Sequence, residues 1–109
     1  MYLISMSREV FKMKEVMSIL DKFKLPDLGV VISGVNPALD QLENEKIEKL
    51  IGKNIIIRKP SGSEIKARVK GIDVSSSMIG KKNISIQLED IVVPEEIEVN
   101  STVYGTGSS

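Results

Sequence analysis

Cysteine and histidine are both absent from the 109 residues of this chain. Without cysteine there is no disulfide, no thiolate nucleophile and no thiolate metal site. Without histidine the commonest general base and the commonest transition-metal ligand are missing as well. Only carboxylate sites for Mg²⁺ or Ca²⁺ stay open. Tryptophan is also absent, and the aromatics reduce to Tyr2, Phe11, Phe23 and Tyr104, so the core has to be aliphatic. Neither charge dominates: 15 basic and 15 acidic side chains give a formal net charge of zero. A dedicated nucleic-acid binder usually shows a basic excess, because phosphate contacts supply much of the affinity. An even balance still leaves a local basic patch open. No apolar run approaches the roughly 20 residues of a membrane-spanning helix. The stretch Met1-Tyr2-Leu3-Ile4-Ser5 is too short for the apolar core of a secretory leader and has no basic lead. The expectation is a cytoplasmic chain that does not enter a membrane.

What is present suffices for one folded domain. Hydrophobic residues make up 41 % of the chain, enough to bury a core and too many for disorder. Val30-Val31-Ile32-Ser33-Gly34-Val35 is a β-branched run and reads as a buried strand. Pro26-Asp27-Leu28-Gly29 before it is a turn, which makes residues 17–25 the first strand of a hairpin. Met17, Ile19, Phe23 and Leu25 share one parity there, which favours a strand. A helical alternative exists, because Val10, Met13, Met17 and Leu20 follow 3, 4 and 3 spacing and Ser7 can cap a helix. Residues 1–16 are therefore left as a segment of unassigned structure.

Asn36-Pro37 ends the second strand. Residues 44–51 then read as a short amphipathic helix, with Asn44 as its cap and Gly52 as its stop. The chain is β again from there. Residues 54–58 form a strand, Pro60-Ser61-Gly62-Ser63 a turn, and residues 64–74 a half-buried strand with Ile65, Ala67 and Val69 on one side. Residues 75–82 are a loop, residues 83–88 an alternating strand, Pro94-Glu95-Glu96 a turn, and residues 101–104 a last short strand. Gly105-Thr106-Gly107-Ser108-Ser109 reads as a flexible tail. Short strands at close spacing, punctuated by turns, point to the all-β class, a barrel or a sandwich, with a helical insertion near residues 44–51.

Five segments in this order resemble a known family. Phe23 to Gly34, with its internal Pro26-Asp27-Leu28-Gly29, is similar to the opening hairpin of the second domain of elongation factor Tu and related translational GTPases. Ile51 to Ile57 resembles the Val-Gly-Asp-x-Val-x-Ile segment of that domain. Lys66 to Asp73 resembles its next strand, which ends in a Gly-Val-Glu triplet, and Gly80 to Leu88 its Gly-Asp-Asn-Val-Gly-Leu-x-Leu strand. Ile91, Glu95-Glu96-Ile97 and Ser101 to Tyr104 resemble its closing stretch. The resemblance covers residues 17–104 and implies a small closed six-stranded barrel of the translation-protein type.

The chain departs from that pattern in three places. A helical segment replaces a short linker at residues 37–50. The loop after Asp73 is shorter and holds Ser75-Ser76-Ser77 where the family has an Arg-Lys pair. No Gly-x-x-x-x-Gly-Lys-Ser/Thr occurs, so these residues alone cannot hydrolyse GTP.

In elongation factor Tu this barrel helps hold the aminoacylated 3′ end of tRNA through a Glu after the Gly-Val pair, and Asp73 falls on that position. Lys66, Arg68 and Lys70 share a strand parity and can form a phosphate-facing stripe, with Arg58 and Asn83 on neighbouring strands. No stacking aromatic interleaves with them in the sequence. Glu89-Asp90 and Glu95-Glu96 are pairs of adjacent acids, a poor geometry for one cation. The residues thus point to a non-enzymatic binding module for a protein or ribonucleoprotein partner. The alternative is an RNA- or tRNA-binding barrel using the Lys66, Arg68 and Lys70 face. No catalytic residue, metal site or cofactor is expected.

Overall fold

A computed structural model describes residues 13–27, 29–89 and 94–107. In chain order its elements are β1 (Lys14–Leu25), β2 (Gly29–Val35), a 3-10 turn (Pro37–Leu39), α1 (Asn44–Ile51), β3 (Asn54–Arg58), β4 (Glu64–Ser76), β5 (Lys82–Leu88), a second 3-10 turn (Pro94–Glu96) and β6 (Thr102–Gly105). The strands close into a barrel in the order β1-β2-β5-β4-β3-β6, and every pairing is antiparallel. The fold is the expected all-β barrel with one short helix. Closure depends on β6, a four-residue strand lying between β1 and β3. It leaves no strand with an unpaired edge.

The interior is aliphatic. Ile19, Ile32, Ile55, Ile57, Ile84, Ile86, Leu88 and Val103 are fully or almost fully buried, each worth about 1.5–3 kcal/mol of apolar burial. Helix α1 adds Ile47, Leu50 and Ile51 to the same core. Its opening differs from expectation. Glu43 occupies the N-cap position, and Asn44 is the first helical residue. The Asn44 amide is engaged elsewhere: its Nδ2 donates to the Val74 carbonyl at 3.2 Å, and its Oδ1 accepts from Lys82 Nζ at 2.9 Å. Gly52 does end the helix, at φ 72°.

Two irregularities in β1 overturn the parity read from the sequence. Val16 has no opposite number on β6 and Leu20 none on β2. Each extra residue turns the following side chains to the other face. Val16 and Met17 are therefore both buried, Ile19 stays inside, and Phe23 and Leu25 emerge at 47 % and 39 % exposure. Lys22 takes the inward position opposite Ile32 and donates from Nζ to the Ile97 carbonyl.

Strand boundaries shift as well. β1 includes Lys14 to Val16, and of the helical spacing considered there Met17 and Leu20 are strand residues. Ser7 and Val10 lie outside the described residues, as do Leu28, Asp90 and Ile91. Residues 105–107 are not tail-like. Gly105 closes β6, Thr106 N–H and Gly107 N–H donate to the Ile51 and Leu50 carbonyls, and Thr106 Oγ1 donates to the Asn54 carbonyl at 2.7 Å.

Ser101 brings the chain into β6. Its carbonyl accepts from Ile19 N–H at 2.9 Å, while its hydroxyl is buried with no partner among the described residues. A buried hydroxyl without a hydrogen bond is a net cost. Ser101→Ala is therefore expected to stabilise the barrel by about 1 kcal/mol, read as a higher urea midpoint at unchanged slope. A lower midpoint would show that the hydroxyl is satisfied. Among the described residues, no helix is long and apolar enough to cross a membrane.

Candidate functional site

Among the described residues the buried side chains are apolar apart from Ser101, and the candidate residues Arg58, Lys66, Arg68, Lys70, Asp73 and Asn83 are all exposed on the outside. The register places the candidate residues in rows across β6, β3 and β4. One row is Thr102, Arg58 and Glu64, and the next is Tyr104, Ile56 and Lys66. Asn54 then faces Arg68. Lys66 and Arg68 are exposed and line a groove of about 330 Å³ together with Asn54, Ile56 and Thr106. No carboxylate pairs with either cation among the described residues.

Arg58 is arranged differently. Its Nε and Nη2 donate to Glu64 Oε2 at 2.9 and 2.6 Å, and its guanidinium lies 5.2 Å from the Tyr104 ring centroid. The hydrogen bond to Glu64, then the charge of Glu64 and the Tyr104 phenol, hold the guanidinium above its ordinary range. Both partners of this ion pair are exposed, so it adds little to stability. Its effect is positional: Arg58 is held over the aromatic ring rather than offered to a ligand phosphate.

β4 continues past this groove, with a bulge between Val69 and Gly71. Lys70 is the extra residue and remains exposed, so Lys66, Arg68 and Lys70 do line one exposed course. Beyond the bulge the outward positions are Gly71 and Asp73. Gly71 faces Gln87, Gln87 faces Val31, and Val31 faces Phe23. The adjacent row runs Asp73, Ser85, Ser33 and Asp21. Here a second groove of about 290 Å³ is lined by Leu25, Val31, Gly71, Asp73, Ser85 and Gln87. An alanine Cβ at Gly71 would sit 3.0 Å from Gln87 Oε1, so glycine keeps the groove floor clear. Asp73 thus lines an apolar groove, and Phe23 lies on β1 opposite the groove residue Val31. Asp73 and Ser85 are cross-strand partners, but no lysine is part of the groove lining.

Asn83 is not brought into either groove. It is exposed, opposite Ser75. Among the described residues there is no group of three or more Asp or Glu side chains placed to hold a metal ion.

The sequence reading missed both aromatics of this surface. Tyr104 is adjacent to the basic face only because β6 closes the barrel beside β3. Phe23 entered only as one of four apolar residues of shared parity in the first strand. The one available hint was its setting between Lys22 and Lys24, unusual for a core aromatic.

No protein-family model matches the chain, and neither a curated protein nor a solved structure matches it.

Proposed function

We propose that this chain is a non-enzymatic binding module of the translation-factor barrel type, and that it holds a short single strand of RNA along the outer face of β4. One observation carries the reading: a single strand presents cations at one end and an acid-bearing apolar groove at the other. Lys66, Arg68 and Lys70 are exposed at the first end, and Asp73 shares the groove at the second with Val31 and Leu25, Phe23 lying opposite Val31 on β1. Lys66 to Asp73 spans about 23 Å at roughly 3.3 Å per residue.

The chemistry of the two ends is complementary to a strand terminus. Lysine and arginine take backbone phosphates, and an exposed aromatic supplies a stacking platform. A carboxylate accepts from ribose hydroxyls or from an exocyclic amine at a base edge. The Asp73 carboxylate is the acceptor in this scheme, and the exposed Phe23 is the platform. The resemblance of residues 17–104 to the second domain of elongation factor Tu supports the same assignment of roles.

The test is fluorescence anisotropy with a short labelled RNA ending in a free 3′ adenosine. Affinity should fall with added salt with a log–log slope of about −2, for three phosphate contacts on a single strand. Lys66→Glu combined with Arg68→Glu should weaken binding about a hundredfold. Asp73→Ala should weaken binding about tenfold, and only for RNA with a free 3′ end, not for the 3′-phosphorylated form. A flat salt response would sink the proposal. So would a protein partner recovered from its own cell that persists after nuclease treatment, which would favour docking through the exposed Phe23 and Leu25 instead.

A further inference from the structure

The β4–β5 connection contracts to residues 77–81, because β4 runs to Ser76 and β5 begins at Lys82. Two residues set its shape. Ser77 N–H donates to the Lys81 carbonyl at 2.8 Å, its carbonyl accepts from Gly80 N–H at 3.0 Å, and its Oγ accepts from Lys81 N–H at 3.1 Å. Gly80 adopts φ 83°, where glycine is the natural residue. The two positions between them, Met78 and Ile79, take no part in these bonds. Turn centres ordinarily hold Asp, Asn, Ser, Gly or Pro. Here they hold two large apolar side chains at 104 % and 77 % exposure. The fold has no use for them at this place, so their chemistry points outward.

Along residues 74–88 the only charged side chains are lysines. No Asp or Glu occurs from residue 74 to residue 88, whereas Lys81 and Lys82 follow the turn directly. The hairpin is also held firmly at its base. Asn44 at the start of α1 bonds the Val74 carbonyl, and Lys82 Nζ donates to Asn44 Oδ1 at 2.9 Å and to Ser76 Oγ at 3.1 Å. Lys82 N–H donates to Asp40 Oδ1 at 2.9 Å. These bonds join sequence-distant residues, and they present the tip in one orientation before anything binds. Such preorganisation lowers the ordering cost of docking.

We infer that the Met78-Ile79 tip docks the barrel on an anionic lipid surface. Met78 and Ile79 enter the boundary between headgroups and acyl chains, and Lys81 meets the negative headgroups above them. Two apolar side chains and one lysine make a weak, reversible contact, not an anchor. A lipid surface suits this tip because it reads apolar and cationic chemistry without demanding a shaped complement. The site lies at one end of the barrel and does not use the proposed RNA face.

Flotation of the full chain with vesicles tests this. Binding is expected to phosphatidylserine-containing vesicles and not to pure phosphatidylcholine. Met78→Ser combined with Ile79→Ser should reduce it at least about tenfold, with the thermal midpoint unchanged because neither side chain packs on the barrel. Lys66→Glu combined with Arg68→Glu should leave most of the binding in place. The chain has no cysteine, so Ile79→Cys offers a unique attachment point for an environment-sensitive fluorophore. Its emission should shift to the blue on anionic vesicles, and the same label on Lys66→Cys should not shift. The inference is overturned if the chain ignores anionic vesicles, if the tip variant binds as well as the parent, if the β4 charge reversal alone abolishes binding, or if the label at position 79 stays in water.

Discussion

Gly34→Ala is expected to cost about 3 kcal/mol or more, at the upper end of overpacking penalties. A Cβ added at Gly34 would lie 1.9 Å from the Ser18 carbonyl oxygen, 2.9 Å from its carbon and 3.2 Å from Met17 Sδ. Two of those three atoms are backbone. Gly34 also cannot move away, because β2 is paired with β1 on one side and β5 on the other. The penalty is a large share of the roughly 5–15 kcal/mol that holds a domain together. Thermal unfolding followed by circular dichroism should show the midpoint lowered by roughly 12–24 °C. A midpoint within a few degrees of the parent would mean that β1 and β2 do not approach this closely.

Gly105→Ala should be nearly as damaging, by about 2–3 kcal/mol. Its Cβ would meet the Leu50 carbonyl oxygen at 2.2 Å and Ile51 Cα at 2.8 Å, which forces helix α1 away from β6. Ile47, Leu50 and Ile51 of that helix are buried in the core, so lifting the helix exposes apolar surface as well. Cutting the chain after Tyr104 is the companion experiment. It removes the bonds from Thr106 and Gly107 to the Ile51 and Leu50 carbonyls and the Thr106 side-chain bond to Asn54, at about 1 kcal/mol each. Urea denaturation of both variants checks the pair. If the truncated chain kept the parent midpoint, residues 105–107 would be the tail that their composition suggests.

That composition explains why the sequence misleads at this point. Gly-Thr-Gly has no hydrophobic period and looks like a linker. It is small because β6 and α1 pass within backbone contact of each other, a constraint imposed by residues 49–52, far away in the chain. The Lys81-Lys82 pair is a similar case. It reads as a solvated turn, yet Lys82 joins the β5 start to Asn44 and Ser76.

The proposed RNA face divides in the same way. Lys66 and Arg68 were legible as a shared outward face, because alternation with Ile65, Ala67 and Val69 is a local pattern. Asp73 was legible as a position only through the family resemblance. That it lines an apolar groove depends on Val31 from β2 and Gln87 from β5. Tyr104 beside Ile56 was not legible at all, since those residues meet only through barrel closure.

The aliphatic, alternating runs by themselves determined that the domain is all-β and roughly where its strands lie, and Gly52 marked the end of the helix; they left barrel and sandwich both open. Strand propensity and burial period are properties of neighbours in the chain, so they can be read there. Tertiary structure alone decided which way β1 faces after Leu20, where β4 bends at Lys70, and which aromatics reach the surface. One extra residue leaves the local pattern almost unchanged but inverts every side chain beyond it. Its position is chosen by the strand that pairs opposite, and that strand lies elsewhere in the sequence.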